Sequence, residues 1–109
     1  MAFYPLNNLS QTITVTGSSV ATALTEVSNQ VPGGMNVTYE VQNAGSATIF
    51  LAWGASTIST ATTTGYPVLA GQSKVIDIPN NVASSKVTHF AFISGTTGQT
   101  VFITPGYGQ

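Results

Sequence analysis

Apolar and polar positions alternate with a period of two through much of this chain, the period of strands that bury one face. From Ser10 to Thr16, Ile13 and Val15 fall on one face and Thr12, Thr14 and Thr16 on the other. The pattern is clearest from Met35 to Gln42, where Met35, Val37, Tyr39 and Val41 alternate with Asn36, Thr38, Glu40 and Gln42. Thr48 to Gly54 is instead a nearly continuous apolar run, which predicts a strand covered on both faces. Tyr66 to Leu69 leads through Ala70 and Gly71 into a strand from Lys74 to Ile78, stopped by Pro79-Asn80-Asn81. A last hairpin is expected to run from Val87 to Ser94, turn at Gly95–Gly98 and return from Thr100 to Thr104. Its first strand carries Val87, His89, Ala91 and Ile93 on one face and Phe90 and Phe92 on the other. With neither face polar, that strand is either sandwiched in the core or has one face against another protein.

Turn chemistry separates these runs. Gly17-Ser18-Ser19 turns the chain, Pro32-Gly33-Gly34 breaks it, and Asn43-Ala44-Gly45 has the composition of a short hairpin loop. Ala55 to Gly65 is almost wholly Ser, Thr and Ala, a surface loop. Val20 to Val31 spaces Ala21, Leu24, Val27 and Val31 nearly as a helix does, yet its Thr and Ser suit a strand plus loop equally well. Met1 to Leu9 has neither period and reads as an extended N-terminal arm, and Pro105 to Gln109 as a C-terminal tail. Thr48–Gly54 is echoed by Thr100–Gly106, and Val37-Thr38 by Val87-Thr88, which suggests related positions in two similar halves. Six to eight short strands between Gly, Pro and Asn turns predict one all-β domain over residues 1–109. The expected architecture is a two-sheet antiparallel sandwich, a jelly roll in the first instance and an immunoglobulin-like sandwich as the alternative.

Composition changes the picture in one respect. Only 5% of residues are charged, against about 25% in an average soluble domain, and the net charge is −1. Polarity comes from 17 Thr, 11 Ser, seven Asn and six Gln. Such a surface is wetted but weakly repelled by its neighbours, as suits a chain that works docked in an assembly. Two lysines, Lys74 and Lys86, cannot neutralise a row of phosphates, so nucleic acid is not an expected partner. No apolar run approaches the 18 or so residues of a membrane span, and no basic-then-apolar leader opens the sequence. Synthesis in a cytoplasm is expected. Without cysteine there is neither disulfide nor thiolate chemistry. Asn8-Leu9-Ser10 and Asn36-Val37-Thr38 match the glycosylation pattern, but Ser and Thr are so frequent that chance explains both.

The chemistry available is sparse: Glu26, Glu40, Asp77, His89, the two lysines and four tyrosines. His89, Asp77 and a serine can be written as a triad, yet no G-x-S-x-G elbow exposes a nucleophile, and His89 reads as a hydrogen-bonded strand residue. One His and three scattered acids make no usual zinc or calcium site, and no glycine fingerprint marks a nucleotide site. The expectation is a protein that is not an enzyme and uses no cofactor. Aromatic residues offer a binding alternative, because Trp53, Tyr66 and Tyr107 lie near strand ends where a sugar ring can stack; packing is their commoner fate.

Three stretches resemble small virion proteins of tailed bacteriophages, the decoration or cement class: the opening Phe3-Tyr4-Pro5-Leu6-Asn7-Asn8-Leu9-Ser10-Gln11-Thr12-Ile13, the centre Val41 to Gly54 with its Thr48-Ile49-Phe50-Leu51-Ala52-Trp53-Gly54, and the ending Val101 to Gln109. The resemblance implies a β-rich module on the outer surface of a phage head, bound to the major capsid protein, reinforcing contacts between its subunits and carrying no catalytic residue. It further implies a homo-oligomer located on the virion after synthesis in the host cytoplasm. The assembly interface is expected at Phe3, Tyr4, Leu6, Phe90, Phe92 and Tyr107. The alternative is a receptor- or carbohydrate-binding sandwich module of a tail fibre or surface appendage, which calls for an exposed aromatic platform.

Overall fold

Nine strands and no helix are found among residues 3–6, 8–24, 37–78 and 87–108, the residues described by a computed structural model of the chain. They are β1 (Phe3–Pro5), β2 (Gln11–Val15), β3 (Val20–Ala23), β4 (Val37–Asn43), β5 (Ile49–Gly54), β6 (Tyr66–Val68), β7 (Ser73–Ile78), β8 (His89–Ser94) and β9 (Gln99–Gly108). One sheet runs β9-β4-β7, with β1 and β2 both along the outer edge of β9; the other runs β3-β8-β5-β6. Every pairing is antiparallel. The sheets pack as a sandwich around Val15, Val41, Ile49, Leu51, Val68, Phe90, Val101 and Ile103, all buried.

The pairings are nested. β5 pairs with β6, β4 with β7, β3 with β8 and β2 with β9, as in one long hairpin whose tip is the 55–65 loop. Rolling that ribbon onto itself sets β9 beside β4 and β8 beside β5. It also overturns both hairpins expected from turn chemistry. β4 and β5 lie in opposite sheets, as do β8 and β9, so 44–48 and 95–98 are corners between sheets. A glycine-rich turn reverses or redirects a chain equally well, and the alternation that marks a buried face does not name the strand beside it. The echoed segments correspond only as strands: exchanging β4 with β8 and β5 with β9 turns the β4–β9 pairing into the β8–β5 pairing, but Val87-Thr88 precede β8, and Val41 opposite Ile103 has no residue-for-residue counterpart, since Ala91 lies opposite Ala52 and not Leu51.

Three of the four corners are built alike: a side chain at the strand end accepts from the backbone two residues on, Thr16 Oγ1 from Ser18 N at 3.3 Å, Asn43 Oδ1 from Gly45 N at 3.0 Å, and Ser94 Oγ from Thr96 N at 3.2 Å. At the fourth, 69–72, Gln72 Oε1 accepts from Leu69 N at 3.1 Å. Asn43 Nδ2 also donates to Ala47 O and Val68 O, both at 2.9 Å, and Gln99 Oε1 accepts from Ser46 N at 2.7 Å and Ala47 N at 2.9 Å. Backbone bonds Gly98 N to Val15 O and Gly71 N to Asn43 O join the neighbouring corners, so all four lie at one end. Buried Asn43, Ser94 and Gln99 thus satisfy backbone groups that the crossings would otherwise strand without partners.

The apolar strand β5 is not equally covered on its two faces. Ile49 and Leu51 are buried, while Phe50, against which the 55–65 loop closes at Gly65, and Ala52 are half-buried. Val20–Ala23 is strand; the rest of the Val20 to Val31 alternative from residue 25, the Pro32-Gly33-Gly34 break, Met35, Asn36 and the Pro79-Asn80-Asn81 stop lie outside the described residues.

Candidate functional site

Of the six residues the sequence assigns to an assembly interface, the structure gathers Phe3, Tyr4, Leu6 and Tyr107 and separates Phe90 and Phe92 from them. Phe90 and Phe92 are 0% and 3% exposed and belong to the core, so they present no contact surface. The Phe90 ring meets Tyr39 at 5.5 Å and Phe92 at 6.1 Å, both edge to face. Their strand is interior to its sheet, with β3 on one side and β5 on the other, and Ala91 on its outer face is buried as well.

The expected arm and tail pair with each other. β1 lies along the end of β9, with Phe3 opposite Gly108, Tyr4 opposite Tyr107 and Pro5 opposite Gly106, and Leu6 N donates to Pro105 O at 2.9 Å. Pro105 to Gly108 is therefore the last part of a ten-residue strand. From Pro5 to Gln11 the chain advances six residues while its partner steps only from Gly106 to Ile103, three residues, so the edge bulges between β1 and β2. Asn8, at φ 60°, takes the left-handed turn this bulge requires, a conformation Asn tolerates better than most side chains. The Tyr4 and Tyr107 rings stack at 5.4 Å, and Leu6 packs against the core. A Cβ at Gly106 would run into the Tyr4 carbonyl oxygen and lie 2.9 Å from the Phe3 ring, so only a bare backbone lets β1 approach this closely.

A second aromatic group forms at the opposite edge of the sandwich. Trp53 and Tyr66, each 40% exposed, meet edge to face at 6.1 Å and 80°. Tyr66 is opposite Leu51, so both rings lie on the inward side of their sheet, where the sandwich opens. Lys74, opposite core residue Val41 in the facing sheet, reaches across this mouth to place Nζ 5.8 Å from the Tyr66 ring centre. Gly65 positions Tyr66: a Cβ there would lie 2.7 Å from Phe50 Cβ, so its absence lets the loop close tightly on β5. Thr60 N donates to Ser19 Oγ at 3.0 Å and Gly65 N to Ala61 O at 2.9 Å, fixing the loop. Tyr107, grouped with Trp53 and Tyr66 on sequence, lies in the other sheet with Tyr4.

Among the described residues, His89 does not converge with a carboxylate. His89 is half-buried in the β3-β8-β5-β6 sheet, with Nδ1 2.8 Å from Thr88 Oγ1, whereas Asp77 is exposed in the other sheet. Among the described residues no three of His, Cys, Asp and Glu are grouped to hold a metal ion. Periodicity signalled none of the roles of Gly65, Gly106 or Lys74, because each depends on which strands become neighbours. No protein-family model matches the chain, and no curated protein matches it in sequence.

Proposed function

We propose that the chain is a structural protein of a virion, a decoration or cement protein that binds the outer surface of a phage head, contacts the major capsid protein and reinforces its intersubunit contacts, without catalysis or cofactor. The observation that carries this reading is the stacked Tyr4–Tyr107 pair on a sheet edge, with Tyr4 44% exposed. An aromatic pair held open beside an edge strand offers a neighbour both apolar area and unpaired backbone groups. The chain's near absence of charge supports the same reading, since little repulsion opposes close packing of many copies. We further read the nested pairing as a jelly roll. In an immunoglobulin-like sandwich the last two strands share a sheet, whereas here β8 and β9 are divided between sheets, as are β2 and β3, β4 and β5, and β6 and β7.

The test is to add the purified protein to heads of the encoding phage that lack it, and to locate it by labelled electron microscopy. Saturable binding on the head surface is expected, with Tyr4→Ser binding at least tenfold more weakly while its fold is retained. Label confined to the tail, or no binding to heads, refutes the proposal.

A further inference from the structure

We propose that the recess beside Trp53 and Tyr66 is a binding site for a single ring of a neutral sugar. This inference does not rest on the docking reading. The recess is lined by Leu51, Ala52, Trp53, Thr64 and Tyr66 and has a volume of about 250 Å³.

The chemistry of the walls selects the occupant. The pairing of β6 with β5 ends at Tyr66 opposite Leu51, whereas the backbone of Ala52 is turned to Ala91 of β8, so on the β6 side the N–H and C=O of Trp53 have no strand beside them. Free backbone groups, the Thr64 hydroxyl and two half-exposed aromatic rings therefore surround one small space. A ligand that fits must present C–H groups to the rings and hydroxyls to the polar rim from the same compact body, as a pyranose does. The two rings stand at 80°, so one can underlie the sugar while the other closes its side.

Two other occupants fit less well. An extended peptide adding to the β5 edge would find only Ala52 to Gly54 free before the chain leaves the strand, too short for a ladder. A second copy of the chain, or another protein, needs some 20–30 residues on each side of a stable interface, and the five residues here are bounded by the Ser- and Thr-rich loop. The site is also held ready: the loop is fixed to Ser19, Gly65 seats Tyr66 against β5, and the Lys74 ammonium packs on the Tyr66 ring.

Trp53 is the only tryptophan of the chain, so its emission reports on the recess directly. The full-length protein is titrated with maltose, cellobiose and diacetylchitobiose to about 20 mM, a range that brackets a weak single-ring Kd of about 1 mM. A saturable change with at least one sugar is expected, weakened tenfold or more in Tyr66→Ala, whose melting temperature is measured alongside. As a check that needs no variant, saturating the aromatic proton resonances of the wild-type protein should transfer magnetisation to the C–H protons of that sugar. Absence of both signals for all three sugars overturns the proposal, as does an unchanged response in folded Tyr66→Ala. An emission change that follows protein concentration without sugar also overturns it, and gives the recess to a second copy. None of these outcomes bears on binding to heads, so the two proposals fail separately.

Discussion

Replacing Gly106 by alanine introduces one methyl group at the point where β1 and β9 come closest. That methyl would collide with the Tyr4 carbonyl oxygen and sit 2.9 Å from two carbons of the Phe3 ring. Carbon contacts are favourable only from about 3.5 Å, and the Tyr4 oxygen is backbone, so the strand itself must retreat. Retreat costs the Leu6 N to Pro105 O hydrogen bond, about 1 kcal/mol, and the Tyr4–Tyr107 stack, another 0.5 to 1.5 kcal/mol. Loosening Leu6 from the core adds about 1 kcal/mol. Against this, alanine restricts the unfolded chain and returns about 0.4 to 1 kcal/mol. The net expectation is a loss of about 2 kcal/mol, or roughly 8–16 °C in Tm. The decisive assay is a double-mutant cycle in thermal or urea unfolding. With residues 1–6 deleted, nothing remains for the methyl to strike, and the same substitution should become neutral or slightly stabilising. Gly106→Ala costing as much without β1 as with it would refute the account, as would full hydrogen-exchange protection of the Leu6 amide in the single variant.

Further expectations concern the corners, the sheet face and the attachment. Gln99→Ala removes the acceptor shared by Ser46 N and Ala47 N and should lower stability by about 2 kcal/mol in urea unfolding. Asn43→Asp sets a carboxylate against the carbonyls of Ala47 and Val68, which holds its folded-state pKa above the unfolded value of about 3.9. Its deficit, about 3 kcal/mol at pH 7, should shrink as pH falls below the raised folded-state pKa and level off near the unfolded value of about 3.9, because the protonated acid can donate to one carbonyl; a pH-independent deficit counts against this. Thr38 Oγ1 is buried without a partner among the described residues, so Thr38→Val should raise stability by about 1 kcal/mol in the same assay. With 5% charged residues, binding to heads should weaken little between low and moderate salt, although a Debye length shrinks to about 8 Å at physiological ionic strength. A steep loss of co-sedimentation over that range would instead give the interface to charge.

Strands with a full alternating run were legible from sequence nearly to their ends: Ser10 to Thr16 contains β2, and Lys74 to Ile78 lies within β7. The 55–65 loop was equally plain, since no large apolar side chain but Ile58 interrupts its Ser, Thr and Ala. Partnership was not legible. The period of two says which side chains face the core, but β8 and β9 show the same turn cues whether they pair or part, and only burial of both sheets decides it. β1 escaped for a related reason, because three residues with a proline carry no period and their partner holds Pro105 and Gly106, which read as strand breakers. At the candidate sites the residue types were visible, Tyr4 and Tyr107 for one and Trp53 and Tyr66 for the other. The contacts that give them meaning were not, since Tyr4 reaches Tyr107 across 103 positions of sequence and Lys74 reaches Tyr66 from the facing sheet.

The nested ladder also sets an order of events. Closing the β2–β9 pair from an unstructured chain means joining Gln11 to Ile103, a loop of more than ninety residues, whereas Ile49 and Val68 are separated by nineteen. Closure entropy rises with the logarithm of the open length, but what matters in a nest is the length still open when each pair forms. Once β5 and β6 have met, only the 44–48 and 69–72 corners lie between them and the β4–β7 pair. Each zippered pair thus shortens the closure of the next, and a fold whose partners are remote in sequence becomes reachable in small steps from its centre. Last in that order comes β1, whose partner residues on β9 are positioned only after β4 and β2 have joined that strand. The edge proposed to meet the capsid is accordingly completed when the rest of the molecule is already in place.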